Sequence, residues 1–301
     1  MIYKIEDNKL IQQNESGFKL ERDLQLLIEN NLSILFGLEF IQTEFSIGDY
    51  RFDTVAFDNE SNSFIIIEYK RGMNESIIDQ GYAYLSTLLD RRAELVLLYN
   101  EVNNSNRLMK DFDWSQTRLI FVSPKFNDYQ INAASLSDTP FDLYEVKRYE
   151  DLVQVNLVNK KAIKSKKANS VNILPDAAKK VAREIKVYTE DDHLKGATPE
   201  TANLYEQLKE ELLNIGDLKI DPKKVYIAFK RNTNVCDIEI RKNWVVATIN
   251  MRQGTLNDPM NKAESIVNIG HVGNGDYRIR INNYDDIDYA LLLIKQSYKI
   301  N

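Results

Sequence analysis

The stretch Tyr50-Arg51-Phe52-Asp53-Thr54-Val55-Ala56-Phe57, the polar turn Asp58-Asn59-Glu60-Ser61-Asn62, and the run Phe64-Ile65-Ile66-Ile67-Glu68-Tyr69-Lys70 decide how the first half of this chain folds. Two runs rich in β-branched and aromatic residues around a polar turn read as a β-hairpin. Three ionisable residues sit inside these apolar runs. With the turn centred between Glu60 and Ser61, antiparallel pairing sets Asp53 opposite Glu68, and strand alternation puts Lys70 on the face of Glu68. Two carboxylates at that range repel unless a cation lies between them, which points to a divalent metal bound by oxygen. An adjacent lysine would then orient or deprotonate a water, or stabilise charge developing on a phosphate. The same trio could also be an edge-strand ion pair. Against that, Phe64-Ile65-Ile66-Ile67 suits burial on both faces, where an unpaired carboxylate is costly.

Working outward, residues 18 to 35 place Phe18, Leu20, Leu24, Leu27, Ile28, Leu32 and Leu35 at helical spacing, with Gly37 as a stop. Glu39 to Ile47, Tyr50 to Phe57 and Ser63 to Lys70 then predict an antiparallel meander. A helix from about Ser76 to Arg92 follows, and Glu94 to Tyr99 and Arg118 to Ser123 read as short apolar strands, the latter stopped by Pro124. Beyond the middle of the chain, Thr198 is the expected N-cap of a helix with Pro199 at its first position, running to about Asn214 before Gly216. Val225 to Arg231, Val235 to Lys242, Trp244 to Met251 and Tyr277 to Ile281 read as strands, and Tyr284 to Tyr298 as a final helix.

At 301 residues the chain suits two domains, and its charge divides it. Residues 1–146 carry 13 basic and 24 acidic side chains, net −11; residues 147–186 carry 11 and 4, net +7; residues 187–301 carry 15 and 17, net −2. The middle includes Lys160-Lys161-Ala162-Ile163-Lys164-Ser165-Lys166-Lys167, which reads as a linker held open by like charge, or as a basic strap over a phosphate backbone. The expected organisation is an α/β domain over 1–158, a basic linker over 159–190, and a smaller α+β domain with an antiparallel sheet over 191–301. One Cys (Cys236) and two His (His193, His271) exclude disulfide frameworks and Cys-rich zinc sites, and none of the three lies before residue 193. If the first domain is an enzyme, its chemistry must run on carboxylates, Lys, Tyr, Ser or a hard metal ion held by oxygen ligands. Met1 to Asp7 is charged early and no apolar run approaches the ~20 residues of a membrane span, so neither signal peptide nor membrane is expected, and a cytoplasmic protein is the expectation.

Asp53 and Glu68-Tyr69-Lys70, with the preceding helix carrying Glu21 and the following helix carrying Gln80 and Tyr84, resemble the PD-(D/E)XK nuclease superfamily, in its mismatch- and branch-cutting or RecB-like branches. The resemblance covers roughly residues 15 to 125 and implies a restriction-endonuclease-like fold, a central mixed sheet flanked by helices. It further implies metal-dependent hydrolysis of DNA phosphodiester bonds, with Mg²⁺, or Mn²⁺ in its place, bound by Asp53, Glu68 and the Tyr69 carbonyl, and with Lys70 placing the water. Glu21 would match the first-helix acid and Gln80 the glutamine after the motif. The family's proline is replaced by Phe52. Many such proteins dimerise to cut both strands, which makes a homodimer an expectation. The fold also hosts inactive members, so a non-catalytic nucleic-acid or partner-binding protein is the alternative.

In the C-terminal region, Gly270-His271-Val272-Gly273-Asn274-Gly275-Asp276-Tyr277 before a strand, with Ile294-Lys295-Gln296-Ser297-Tyr298 at the end, resemble an uncharacterised module of the so-called predicted transport protein family. Its Gly270-His271-Val272-Gly273-Asn274-Gly275 cluster lacks dinucleotide-binding spacing and predicts a tight turn between strands. Lys223-Lys224, Lys230-Arg231, Arg241-Lys242, Arg278 and Arg280 alternate with Tyr226, Phe229, Trp244 and Tyr277; this reads as a solvated sheet face or as a phosphate-tracking ridge.

Overall fold

Residues 2–70, 77–135, 139–159, 175–231, 233–268 and 273–301 are described by the computed structural model. They fall into two units, Met1–Val187 and Tyr188–Asn301. In the first, a hairpin of β1 (Ile2–Glu6) and β2 (Lys9–Gln13) turns at Asp7 and Asn8, with φ of 48° and 60°. The amphipathic stretch that follows forms two helices rather than the one expected, α1 (Glu21–Glu29) and α2 (Leu32–Phe36). Asn31 Nδ2 donates to the Leu27 carbonyl at 2.7 Å, a local bond that competes with helix continuation. Gly37 ends the second helix with φ 68°, the left-handed stop that glycine favours.

β3 (Glu39–Ile47), β4 (Tyr50–Asp58) and β5 (Ser63–Tyr69) make the antiparallel meander. α3 (Ile77–Asp90) and α4 (Arg92–Asn103) cross to β6 (Arg118–Ser123), which lies parallel to β5. α5 (Asp128–Ala134) leads to β7 (Phe141–Tyr149), parallel to β6, and β8 (Leu152–Leu157) returns antiparallel at the edge. The sheet order is β3-β4-β5-β6-β7-β8, a mixed sheet. Glu94 to Tyr99, expected as a strand, lies within α4. Its buried residues Leu95, Val96 and Tyr99 recur at helical spacing, but the run is too short for periodicity to separate the two readings.

Two cores sandwich this sheet. Leu24, Ile28 and Leu32 of α1 and α2 pack on Ala56, Ile65, Ile67, Tyr69, Ile120 and Val122. On the other face Ile77, Leu85, Leu88 and Leu95 of α3 and α4 meet Val55, Phe57, Phe64, Ile66, Phe121 and Phe141. Every residue of β5 is buried. α6 (Asp176–Glu184) falls inside the span read as linker and packs on the first unit: Val181 and Ile185 join the second of these cores, and Lys180 pairs with Asp90 and Glu184 with Arg92. Its apolar spacing is carried by few residues among lysines, so the charge obscures it. The lysine run 160–167 lies outside the described residues.

α3 seats against the sheet through Gly81, where a Cβ would lie 2.8 Å from Phe141 Cε1 and 3.2 Å from Phe121 Cζ. Both rings are fully buried, so neither can withdraw cheaply. Gly81→Ala is expected to cost about 1–3 kcal/mol despite the better helix propensity of alanine, measured as a lower urea midpoint.

The second unit holds α7 (Glu190–Leu194), α8 (Pro199–Ile215), β9 (Lys219–Pro222), β10 (Ile227–Lys230), β11 (Asn234–Ile240), β12 (Val245–Ile249), β13 (Glu264–Ser265), β14 (Tyr277–Ile281) and α9 (Asp285–Ile300). Its sheet, ordered β13-β14-β12-β11-β10-β9, is antiparallel throughout. Leu204, Leu208 and Leu212 of α8 and Ile287, Leu291 and Ile294 of α9 share one core with the sheet's apolar residues. Thr198 caps α8 by accepting from the Thr201 N–H at 3.3 Å, with Pro199 first in the helix. At Gly275 (φ 117°) a Cβ would sit 2.0 Å from the Ile249 carbonyl oxygen, a close approach that only glycine permits. Gly270 and His271 lie outside the described residues. Among the described residues no helix is long and apolar enough to cross a membrane.

Candidate functional site

The site lies where the β4–β5 ladder ends. Regular pairing runs from Asp58↔Ser63 to Thr54↔Ile67, and Asp53 and Glu68 are next in register. There side chains take over from the main-chain ladder. The Asp53 N–H donates to Glu68 Oε1 at 3.1 Å, and the Tyr69 N–H donates to Asp53 Oδ2 at 3.0 Å. Each carboxylate is thus tied to the other strand's backbone, and the pair is held close. Lys70 Nζ lies 3.1 Å from Glu68 Oε2.

Burial sets the electrostatics. Glu68 is 1 % exposed. Desolvation, and then the negative charge of Asp53, push its carboxyl up to about 8; Lys70 and the Asp53 N–H pull the other way and are outweighed. Asp53 is also pushed up, chiefly by desolvation, with Glu44 and Glu21 adding like charge and the Tyr69 N–H and Lys70 opposing. Among the described residues Lys70 is the cation that opposes both shifts. Tyr84 of α3 sits at the rim, its hydroxyl raised to about 12 by burial and by the charge of Glu68; Gln80 Nε2 donates to that hydroxyl at 2.9 Å.

Of the expected site residues, the fold gathers Asp53, Glu68, Tyr69 and Lys70 directly, and Gln80 through Tyr84. Glu21, the first residue of α1, is exposed and acts on Asp53 through its charge. Among the described residues no group of three or more carboxylate, imidazole or thiol side chains is placed to hold a metal. The pair Asp53 and Glu68 is a hard-oxygen donor set of the size that Mg²⁺ uses, the ion keeping waters and phosphate oxygens elsewhere.

The opposite face contributes residues that were missed. Gln25 of α1 is buried, and its Nε2 lies 3.0 Å from the Asp53 carbonyl oxygen and 3.1 Å from Glu29 Oε1. Thr54 Oγ1 donates to Glu29 Oε1 at 2.6 Å and lies 3.2 Å from the Tyr69 hydroxyl. Gln25 lies beside Leu24 in a helix whose buried stripe is otherwise apolar, and a polar residue there was the available signal.

In the second unit the basic residues are engaged. Arg278 Nε lies 2.9 Å from Glu264 Oε2, Arg280 stacks over Trp244 at 3.9 Å, and Lys223 and Lys230 both pair with Asp221. Arg278 fits the solvated, ion-paired reading, whereas Lys223 is 4% exposed and lies buried.

The fold and the site define a two-unit protein: an α/β/α layer with a buried carboxylate pair and a lysine at the open end of a hairpin, followed by an antiparallel α+β unit. The chain belongs to one family with an uncharacterized protein of Haemophilus influenzae, to which it is 42% identical over 307 residues, covering 99% of each chain. Residues 190–301 match a domain of unknown function, DUF5655. Among solved structures, the chain has a distant likeness to an EndoMS–dsDNA2 complex (TM-score 0.26, 15% identity, 42% of this chain) and to a repair endonuclease from Pyrococcus abyssi (TM-score 0.25, 18% identity, 40% of this chain). It covers under half of either of those chains, 46% and 45%.

Proposed function

We propose that the protein is a divalent-metal-dependent nuclease of the PD-(D/E)XK type that hydrolyses DNA phosphodiester bonds. The observation that carries this reading is the acid pair itself: Asp53 and Glu68, each bonded to the other's strand at the opened end of the ladder, are both pushed toward the protonated state, chiefly by burial, with nearby carboxylates adding to it. Positive charge between the two acids would offset both effects. A bound Mg²⁺ would supply that charge, polarise a phosphoryl oxygen and acidify a water. Asp53, Glu68 and the Tyr69 carbonyl would hold it. Lys70, beside Glu68, would stabilise negative charge at the attacking water and on the phosphate. Gln80 orients the Tyr84 hydroxyl at the rim, and Glu21 adds negative charge on the α1 side. The first segment's net charge of −11 makes it a poor DNA-holding surface, and the +7 segment with its lysine run carries the charge suited to a phosphate backbone.

The test joins binding to activity. Mn²⁺ or Mg²⁺ is expected to raise the melting temperature more at pH 8 than at pH 6, because protons compete with the ion for the raised carboxyls. Asp53→Asn should abolish both that stabilisation and metal-dependent DNA cleavage. DNA binding with no metal response and no cleavage would favour the non-catalytic binder; cleavage surviving Asp53→Asn would overturn the site.

A further inference from the structure

We propose that Gln25 of α1 is the positioning residue for Asp53, holding its main chain so that its carboxylate stays aligned on the Tyr69 N–H and toward Glu68. At this level of β4 the main chain is held by side chains. The Asp53 N–H is taken by Glu68 Oε1, and the Asp53 carbonyl faces Gln25 Nε2 at 3.0 Å. On the β3 side the facing residue is Glu44, between the pairs Thr43↔Thr54 and Phe45↔Phe52, and it adopts φ 49°. A non-glycine residue in the left-handed region inside a strand is strained, and here it is the residue that faces Asp53.

The Gln25 amide is a hub. Besides the Asp53 carbonyl, its Nε2 has Thr43 Oγ1 and Glu29 Oε1 at 3.1 Å and Glu44 Oε1 at 3.4 Å. Two amide hydrogens cannot serve four oxygens fully, and the main-chain acceptor is the nearest. Leu24 and Ile28, buried beside it on α1, hold the helix face against the sheet. Glu29 extends the link: it accepts from Gln25 and from Thr54, the residue after Asp53, and the Thr54 hydroxyl meets that of Tyr69, the residue after Glu68. One α1 side chain thereby braces the Asp53 backbone from the face opposite α3. That this alignment serves metal binding rests on the nuclease reading; the alignment itself does not.

The experiment measures amide hydrogen exchange without metal, then Mn²⁺ binding. Gln25→Met keeps the volume and removes the donor; Gln25→Asn, one methylene too short, serves if Gln25→Met does not fold. The Asp53 and Tyr69 amides are expected to exchange about tenfold faster, while Ile66 and Phe121 in the same sheet stay near the wild-type rate. Gln25→Lys, which restores a donor and pairs with Glu29, should keep the protection. Unchanged Tyr69 exchange, or a rise only in step with Ile66 and Phe121, overturns the proposal. In the second arm the Mn²⁺ midpoint should rise about 10- to 100-fold in Gln25→Met. A wild-type protein indifferent to Mn²⁺ would overturn the metal reading alone, because the exchange arm still decides the role of Gln25.

Discussion

Glu68→Gln is expected to make the metal-free protein more stable at pH 8 and, on the proposed nuclease reading, to abolish metal-dependent DNA cleavage. The sign follows from linkage. The Glu68 carboxyl is raised from 4.5 to about 8, so between those values the folded state keeps a proton that the unfolded state has lost. Stability therefore falls as pH rises through that window and is fully recovered only below its lower edge. Glutamine carries no charge at any pH in the window and can still accept from the Asp53 N–H through its carbonyl oxygen. The gain at pH 8 should be on the order of 2 kcal/mol, read as a rise of about 5 °C in melting temperature, and should shrink toward zero near pH 5. Added Mn²⁺ should reverse the ranking, since only the wild-type protein keeps both acids. A substitution that stabilises the fold and removes the activity marks a site built for function at the expense of stability. A variant less stable than wild type at pH 8, or one with unchanged cleavage, would contradict this.

Lys70→Ala should have the opposite effect on stability and the same effect on activity. Among the described residues Lys70 is the cation paired with Glu68, at 3.1 Å, with a side chain 21% exposed. Its removal takes that partner from a buried carboxyl, so the metal-free protein should lose on the order of 1 kcal/mol at pH 8 and little near pH 5, where Glu68 is protonated. Cleavage should fall by at least about a hundredfold. The Glu68→Gln/Lys70→Ala double variant should recover the stability lost by Lys70→Ala, because the charge that needed the lysine is gone. Additive stability effects in this cycle would mean that the two side chains do not interact as the geometry requires.

The hairpin that carries the acid pair was legible because its turn and its apolar runs constrain one register, and that register aligns Asp53 with Glu68. Period-two reasoning also placed Lys70 beside Glu68. Alternation could not convey that the ladder opens at this pair, because the opening depends on two side chains replacing backbone partners. Gln25 was passed over because it sits in an apolar helical stripe, and its partners lie on β3 and β4, distant in sequence. α4 was misread because Leu95, Val96 and Tyr99 make a run short enough to satisfy either period. β7 and β8 went unread for a different reason: the alternation of Phe141, Leu143 and Val146 slips by one residue at Tyr144-Glu145, and β8 is an edge strand with Leu152 and Val153 exposed. α6 was hidden by lysines whose charge suggested a linker, whereas Ala178 and Val181 are buried. In the second unit the capped start of α8 was legible from Thr198 and Pro199 alone, while the pairing of Arg278 with Glu264 depended on β13, two residues long.

The central claim is that Asp53 and Glu68 form the oxygen-donor pair of a divalent-metal site. A crystal of the 301-residue chain soaked in Mn²⁺ at pH 8, with anomalous data at the manganese edge, tests it most directly. One strong anomalous peak is expected at the Asp53 and Glu68 carboxylates, lost in Asp53→Asn. No peak at those carboxylates under saturating Mn²⁺, or an equal peak in Asp53→Asn, would contradict it.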